Sequence, residues 1–161
     1  MKKEINAFDY AKEIVSSIGK GILLTTKSGE KVNTMTIGWG TLGVEWGKPI
    51  FIAFVREGRF TRQMLDESME FTVNVPLGKV DRNILGCCGT KSGRDTDKVK
   101  DLGLTLEASE LVGAPGIREL PLTLECKVIY RQLQDRSAIP EVIRVLNYPE
   151  DAVSSAAGAN R

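Results

Sequence analysis

The spacing of hydrophobic residues changes from helical to strand-like within the first 40 positions of the chain. Apolar side chains three or four residues apart predict an amphipathic helix from 8 to 18 that ends at Gly19; they are Phe8, Ala11, Ile14, Val15 and Ile18. Residues 21–26 and 32–39 then have strand character, and the polar residues 27–30 between them are typical of a turn. The pattern therefore predicts a β-hairpin whose loop is longer than two residues.

Strand-like spacing recurs in four later segments. The nearly unbroken apolar run 50–55 predicts a strand buried on both faces, and the alternation of 71–75 ends at Pro76. A short strand is predicted at 104–107. Residues 122–131 alternate over the greatest length, which predicts the longest regular strand of the chain, with one apolar face.

Single helices are predicted between these strands. Thr61 is a candidate N-cap of a short helix through Met64 and Leu65, and helical spacing recurs at 80–88 and 96–102. Because strands mostly follow strands, with helices inserted one at a time, the pattern predicts a mainly β (α+β) fold. We expect an antiparallel sheet or barrel with peripheral helices.

The whole chain, residues 1–161, is expected to form a single domain. Its length is close to the usual size of one domain and is sufficient to bury a hydrophobic core. One more helix is predicted around 142–146, and the small, polar residues of about 150–161 predict a flexible tail.

The composition narrows the chemistry that is open to the chain. Histidine is absent, which excludes Ser-His-Asp triads, Cys-His dyads and histidine-ligated metal sites, and we predict no metal site. A net charge of +1 provides no overall field that would attract nucleic acid or a membrane surface. The three cysteines suggest no disulfide framework, and no apolar signal segment follows the first residues, so we expect a cytoplasmic protein. The adjacent Cys87 and Cys88 are interpreted as small buried residues at a helix end.

One match to a dinucleotide-binding fingerprint is declined. Residues 38–43 have the spacing G-x-G-x-x-G and follow a predicted strand. The fingerprint requires a helix to begin there and an acidic residue about 20 positions on. Residues 44–49 predict a turn and a strand instead, and the later position falls near the basic Arg59. The glycines are better explained by a twisted strand that bends or bulges.

Three polar segments have side chains suited to a phosphorylated, planar ligand. Segment 33–39 places polar residues in an otherwise apolar strand. If this strand lies at a sheet edge, its backbone N–H and C=O groups would form hydrogen bonds with the edge of a heterocycle. Segment 56–61 places arginine and threonine side chains where a strand leads into a helix, which suits a phosphate. Segment 88–98 combines glycines that permit close backbone approach with the positive charges of Lys91, Arg94 and Lys98.

Each of these segments also has an ordinary structural explanation. The threonines of 33–39 are good strand formers with solvated alternate positions. In 56–61, Thr61 would be an N-cap and the arginines surface charges. Segment 88–98 would be an exposed loop that caps the following helix.

Taken in order, these segments resemble the flavin reductase-like family of FMN-binding split barrels, and flavoredoxin-type members in particular. The resemblance covers about residues 8–131. The motifs that carry it are Asn33-Thr34-Met35-Thr36 with Trp39, Lys48-Pro49, Val55-Arg56, Arg59-Phe60-Thr61, Phe71-Thr72-Val73-Asn74-Val75-Pro76 and the loop from Cys88-Gly89 through Ser92-Gly93-Arg94-Asp95 to Lys98.

The resemblance implies an antiparallel split β-barrel, a homodimer and noncovalently bound FMN. It places a strand along the flavin ring, an arginine and a threonine at the phosphate, and a glycine-rich loop over ring or phosphate. The FMN-binding residues implied are Asn33, Thr34, Met35, Thr36, Trp39, Arg56, Arg59, Thr61, Cys88, Gly89, Ser92, Gly93 and Lys98.

The resemblance also implies that the reactive atoms belong to the flavin and not to a side chain. We expect an NAD(P)H-dependent flavin or small-molecule reductase that carries out hydride or electron transfer, although no nicotinamide-binding motif is present. Two alternatives stay open, namely an FMN electron carrier reduced by a partner protein and a barrel-type binding module without flavin. The expected partners are a small-molecule substrate or a redox protein, with no nucleic acid and no membrane.

Overall fold

The computed structural model describes residues 2–133, and the helix expected at 142–146 and the tail at 150–161 lie outside the described residues. The chain divides into two compact units, residues 1–129 and 130–161, and the elements below belong to the first. Helices α1 to α4 comprise Ala11–Ile18, Phe60–Ser68, Arg82–Thr90 and Lys98–Asp101, and a short 3-10 helix, Ala7–Tyr10, precedes α1. Strands β1 to β8 comprise Ile22–Ser28, Lys31–Ile37, Gly40–Glu45, Lys48–Ala53, Glu70–Val75, Leu106–Glu107, Gly116–Ile117 and Leu122–Lys127.

All strand pairs in the described residues are antiparallel. A four-stranded sheet has the order β2-β1-β5-β8, while β3 pairs with β4 and β6 with β7 in two smaller sheets. Helix α2 occurs singly between strands, as the sequence predicted, but α3 and α4 follow one another between β5 and β6. Strand β2 pairs only with β1 within the described residues, so it lies at an edge of the main sheet.

One face of the main sheet carries the larger hydrophobic core. Alternate residues of β1, β2 and β5 point to this face, and the buried Ile14 and Ile18 of α1 pack against them. The partly buried Leu42 and Phe51 of the β3–β4 ribbon cover the same core. The amphipathic helix predicted at 8–18 is thereby confirmed, although its first turn is the 3-10 helix.

The opposite face of the main sheet is largely polar and fully buried at its centre. Asn74 of β5 donates to Thr25 Oγ1 at 3.2 Å, and its Oδ1 accepts the backbone N–H of Ile117 at 2.9 Å. Thr72 donates to the carbonyl of Pro115 at 2.7 Å. These bonds fasten the segment around β7 across the sheet, and since the amide and hydroxyl groups find partners, their burial is tolerated.

The β3–β4 ribbon corrects two expectations about the strands. Residues 40–45 form β3, a strand that the sequence pattern did not predict. The last four fingerprint residues lie in this strand, so no helix begins there and the declined match stays excluded. The apolar run 50–55 is not buried on both faces, because its strand belongs to a two-stranded ribbon and Ile52 is 44% exposed. An unbroken apolar run does not distinguish a central strand from such a ribbon.

Two further boundaries differ from the sequence prediction. The β1–β2 hairpin has a two-residue loop, because Ser28 pairs with Lys31 and Gly29 turns the chain at φ +56°. Strand β8 ends at Lys127 and is shorter than β1, although its alternation continues to 131. The partner strand β5 begins at Glu70, which pairs with Lys127. Strand β8 therefore ends at Lys127, because residues 128–131 have no strand of the described residues opposite them.

Candidate functional site

A basic cavity of about 170 Å³ lies at the edge of β2. Its walls come from β2, from the start of α2 and from the end of α3 with the loop that follows. These are the three polar segments that the sequence selected. Its lining residues are Asn33, Met35, Thr36, Gly58, Arg59, Phe60, Thr61, Cys88, Gly89, Lys91, Ser92, Gly93, Arg94 and Lys98.

A buried hydrogen bond joins β2 to the start of α2. Asn33 Nδ2 donates to Thr61 Oγ1 at 2.8 Å, and both residues are almost fully buried. Thr61 is therefore not the N-cap of α2; that position is Arg59, whose side chain makes no capping bond. The hydroxyl fixes the position of Asn33, because an amide in an apolar interior requires partners.

The glycine-rich loop approaches this bond so closely that a side chain is excluded. A Cβ atom on Gly93 would lie 2.1 Å from Asn33 Oδ1 and 3.2 Å from Phe60 Cδ1. Gly89 is also close to β2, since a Cβ atom there would lie 3.4 Å from Thr36 Cβ. Thr36 Oγ1 in turn donates to the carbonyl of Leu85 at 2.6 Å and thus ties β2 to α3. Glycine at these positions lets the loop form a cavity wall directly from backbone.

The cavity is positively charged and suited to an anion. Four cations line it, Arg59, Lys91, Arg94 and Lys98, and no aspartate or glutamate of the described residues does. The lining residues at the start of α2 add the positive end of a helix dipole. Guanidinium, ammonium and backbone N–H groups together make a phosphate the best-matched ligand group.

Lys98 is the most informative of these cations because it is buried. Its side chain is only 3% exposed, and Nζ donates to the carbonyl of Lys91 at 3.3 Å. Burial lowers the pKa of Lys98, an effect that the nearby cysteines oppose. No carboxylate forms an ion pair with it among the described residues. A buried ammonium without a counter-ion is costly, and an anion in the cavity would offset that cost.

The two adjacent cysteines take no part in a disulfide. Cys88 is buried near the end of α3, in agreement with the sequence interpretation, whereas Cys87 is partly exposed and in this respect differs from it. Burial raises the pKa of the Cys88 thiol to about 11, although the charge of Lys98 opposes the shift. Cys88 is therefore a protonated thiol at neutral pH and contributes a small, weakly polar surface to the cavity wall.

Three of the predicted FMN-binding residues do not line this cavity. The Thr34 side chain shares a face of β2 with Thr36 but is fully buried, and it accepts a hydrogen bond from Thr25 Oγ1 at 3.0 Å. Trp39, which is 54% exposed, lies in the connection after β2. The Arg56 guanidinium lies 5.0 Å from the centre of the Trp39 ring, so these two residues form a separate pair.

Four lining residues were not among the predicted FMN-binding residues, namely Gly58, Phe60, Lys91 and Arg94, and the first two had the weakest signal. Gly58 and Phe60 belong to the predicted segment 56–61, and their position beside Arg59 was the only available signal. Lys91 and Arg94, noted in the sequence only as local positive charge, also line the cavity.

Comparisons with known proteins agree with this architecture. The sequence profile of the family described as Flavin reductase like domain matches residues 16–156. An uncharacterised protein of Archaeoglobus fulgidus is 32% identical over 100 residues, which are 62% of this chain and 55% of that protein. The flavoredoxin of Desulfovibrio vulgaris (Miyazaki F) is similar in structure, with a TM-score of 0.63 and 26% identity over 70% of this chain and 61% of the flavoredoxin. The chain thus spans less than two thirds of the length of either protein.

A third similarity concerns the fold alone. The FMN-binding domain of a flavin reductase-like enzyme from Shewanella baltica has a TM-score of 0.66 at 21% identity, and the match covers 81% of this chain and 69% of that domain. Such split-barrel neighbours confirm the predicted class, an antiparallel split barrel with peripheral helices. None of the helices in residues 2–133 is both long and apolar enough to cross a membrane.

Proposed function

The chain belongs to the flavin reductase-like family, and from this premise we propose that it is an FMN-dependent oxidoreductase. The observation that supports this most directly is the basic cavity at the edge of β2, in which Lys98 is buried without a carboxylate partner among the described residues. A phosphate monoester is the part of FMN that such a cavity would hold. Similarity to the flavoredoxin of Desulfovibrio vulgaris and to an FMN-binding domain supports the same cofactor.

The residues present fit FMN in charge and in shape. Arg59, Lys98 and the start of α2 would hold the phosphate, and Ser92 would add a hydroxyl. Because Gly89 and Gly93 carry no side chain, the loop packs closely on β2 and forms this part of the cavity wall from backbone. Drug-sized ligands usually occupy sites of about 300–1,000 Å³, so a cavity of about 170 Å³ would enclose the phosphate end and not the entire cofactor.

The bound flavin would supply hydride and electron transfer, and the chain would supply binding and orientation. The free edge of β2, with Met35 and Thr36 on opposite faces, would lie beside the ring. The positive charge of the cavity would bind the phosphate and thereby fix the orientation of the ring. This division of roles explains how a chain without histidine would serve as an oxidoreductase.

A spectrum and one pair of variants test this proposal. Purified protein is expected to show the visible absorption of bound flavin, or to quench the fluorescence of added FMN. Arg59→Ala and Thr61→Ala together should release FMN and leave the fold intact, whereas the exposed Arg82→Ala should retain it. A colourless protein that does not bind added FMN would contradict the proposal and favour a binding module without flavin.

We propose NAD(P)H-dependent reduction of a flavin or small molecule as the reaction, with a second possibility supported by the flavoredoxin similarity. In that case the protein carries electrons that another protein supplies. Anaerobic stopped-flow mixing with NADH and NADPH separates the two functions. Rapid bleaching of the flavin absorbance supports the reductase, and the absence of bleaching with either nucleotide supports the carrier.

We also propose that the protein is a homodimer. The outer face of the β3–β4 ribbon is not covered within the described residues, and Ile52 lies exposed on it opposite Thr41. Trp46 at the tip of the ribbon is 94% exposed. Exposed apolar side chains recur along this ribbon and beside it, at Trp39, Val44, Trp46, Ile52 and Phe54. A set of this size is typical of surfaces that contact another molecule.

A further inference from the structure

Phe60, the first residue of α2, brings together two cations from different parts of the chain. The ammonium of Lys31 lies 4.7 Å from the centre of its ring, and the guanidinium of Arg94 lies 5.3 Å from it. Lys31 begins β2, whereas Arg94 belongs to the loop after α3. Both distances are within the range of attractive cation–π interactions. The ring therefore connects all three segments that form the basic cavity.

The Phe60 ring also contacts the loop after α3 at the point where the loop backbone lies closest to β2. A Cβ atom on Gly93 would lie 3.2 Å from Phe60 Cδ1, so the residue before Arg94 packs directly beside the ring. With the loop backbone held at Gly93 and the guanidinium held at the ring, Arg94 is constrained at two points. The other cations that line the cavity have no such aromatic partner among the described residues.

Arg94 needs this constraint because it lies between two different electrostatic environments. On one side it lines the basic cavity, whose walls carry no carboxylate within residues 2–133. On the other side it lines an open groove that carries the carboxylates of Glu57, Asp66 and Glu67 together with Arg59 and Arg62, and Arg62 pairs with Asp66 at 3.1 Å. The remaining carboxylates of the groove would attract the guanidinium of Arg94 away from the cavity, and the contact with Phe60 opposes this displacement.

We propose that Phe60 is a positioning residue that holds Arg94 at the basic cavity, so that the site selects phosphorylated flavin over riboflavin. The inference rests on the proposed FMN function and extends it to a determinant of ligand specificity. Phe60 acts through Arg94 and through the electrostatic field at the phosphate, without itself donating a hydrogen bond to the ligand. The two cations gathered at one ring repel each other, and a bound phosphate dianion relieves that repulsion.

Phe60→Leu tests the proposal because it preserves an apolar side chain and removes the aromatic ring. The dissociation constants of FMN and riboflavin are measured by fluorescence quenching at low ionic strength. We expect FMN to bind about fivefold more weakly to the variant, the upper end of the effect of a cation–π pair whose cation is exposed, as Arg94 is. Riboflavin, which has no phosphate, should bind within about twofold of its wild-type affinity, since the cation–π pair does not reach it. Phe60→Tyr should retain the wild-type preference, and thermal unfolding checks that each variant is folded.

A double-mutant cycle shows whether Phe60 acts through Arg94. Arg94→Gln should weaken FMN binding, and adding Phe60→Leu should then cause no further loss. Phe8→Leu, at an exposed phenylalanine outside the cavity, is the matched control and should change neither affinity.

The outcomes separate this inference from the proposed function. Equal losses of FMN and riboflavin affinity in Phe60→Leu, or an undiminished loss in the Arg94→Gln background, would overturn the positioning role while the FMN function stands. A wild-type protein that binds neither flavin would overturn both.

Discussion

At the scale of single residues, we expect the charge of Lys98 to favour FMN binding and to lower the stability of the FMN-free protein. The buried ammonium has one hydrogen bond and no carboxylate partner among the described residues. Replacing it with methionine retains the apolar stem and removes the charge. We expect Lys98→Met to raise the free energy of unfolding of the FMN-free protein by about 1 kcal/mol and to weaken FMN binding at least tenfold. Chemical denaturation and flavin titration measure the two effects.

The pH dependence gives this prediction a second readout. Burial lowers the pKa of Lys98, so the folded state binds its proton less tightly than the unfolded state does. This difference destabilises the folded state by its full amount below the pKa of Lys98 in the folded protein. The destabilisation disappears as pH rises towards the ordinary lysine pKa of about 10.4. The stability advantage of Lys98→Met should therefore shrink at alkaline pH. Lys100→Met, at an exposed position of the same helix, is the control and should show neither effect.

Gly93 offers a test of the geometry of the loop. An alanine Cβ would lie 2.1 Å from Asn33 Oδ1, so the amide must move and lose its bond to Thr61. We expect Gly93→Ala to lower the free energy of unfolding by about 1–3 kcal/mol and to weaken FMN binding. Gly58→Ala is a matched control for stability, since Gly58 lines the same cavity and a Cβ atom there would meet nothing within 4 Å. Equal stability losses in the two variants would contradict the close approach.

Residue types in order along the chain were sufficient to select the three walls of the candidate site. They were not sufficient to exclude Thr34, because the cavity is lined from both faces of β2, by Asn33 and Met35 on one and by Thr36 on the other, and alternation does not show which positions the sheet buries. The buried bond from Asn33 to Thr61 joins residues 28 positions apart and follows from the packing of α2 on the sheet. The role of Phe60 depends likewise on residues from two other elements that only the fold brings together.

At the scale of secondary structure, helix α2 ends on an unfavourable residue. Met69 occupies the C-cap with φ +55°, a left-handed conformation that costs a side chain energy and that glycine adopts freely. We expect Met69→Gly to raise the free energy of unfolding by about 0.5–1 kcal/mol, since the strain is removed and little contact is lost. Met69→Ala keeps a Cβ atom and should not stabilise the protein. A destabilised glycine variant in thermal or chemical unfolding would contradict this explanation.

The elements themselves were largely predictable, and the errors have physical causes. Helix α1 and strands β1, β2 and β5 follow from spacing alone, because each has one clearly apolar face. Strand β3 was missed because its two glycines, Gly40 and Gly43, give it little strand character. The extent of β8 was overestimated, because alternation reports which face is apolar and not where a partner strand ends.

At the scale of the whole molecule, the proposed dimer would explain both the exposed ribbon and the small cavity. A cavity of about 170 Å³ would enclose only part of an FMN, and the outer face of the β3–β4 ribbon has no cover within residues 2–133. A charge at Ile52 on this face should therefore disrupt association, because a buried, unpaired lysine is strongly unfavourable in an interface. We expect wild-type protein to sediment as a dimer and Ile52→Lys as a monomer with unchanged circular dichroism. Val15→Lys, at an exposed apolar position of α1, should remain dimeric. If the second copy also covers the flavin, Ile52→Lys will bind FMN more weakly at low protein concentration, and a wild-type monomer would contradict the dimer at once.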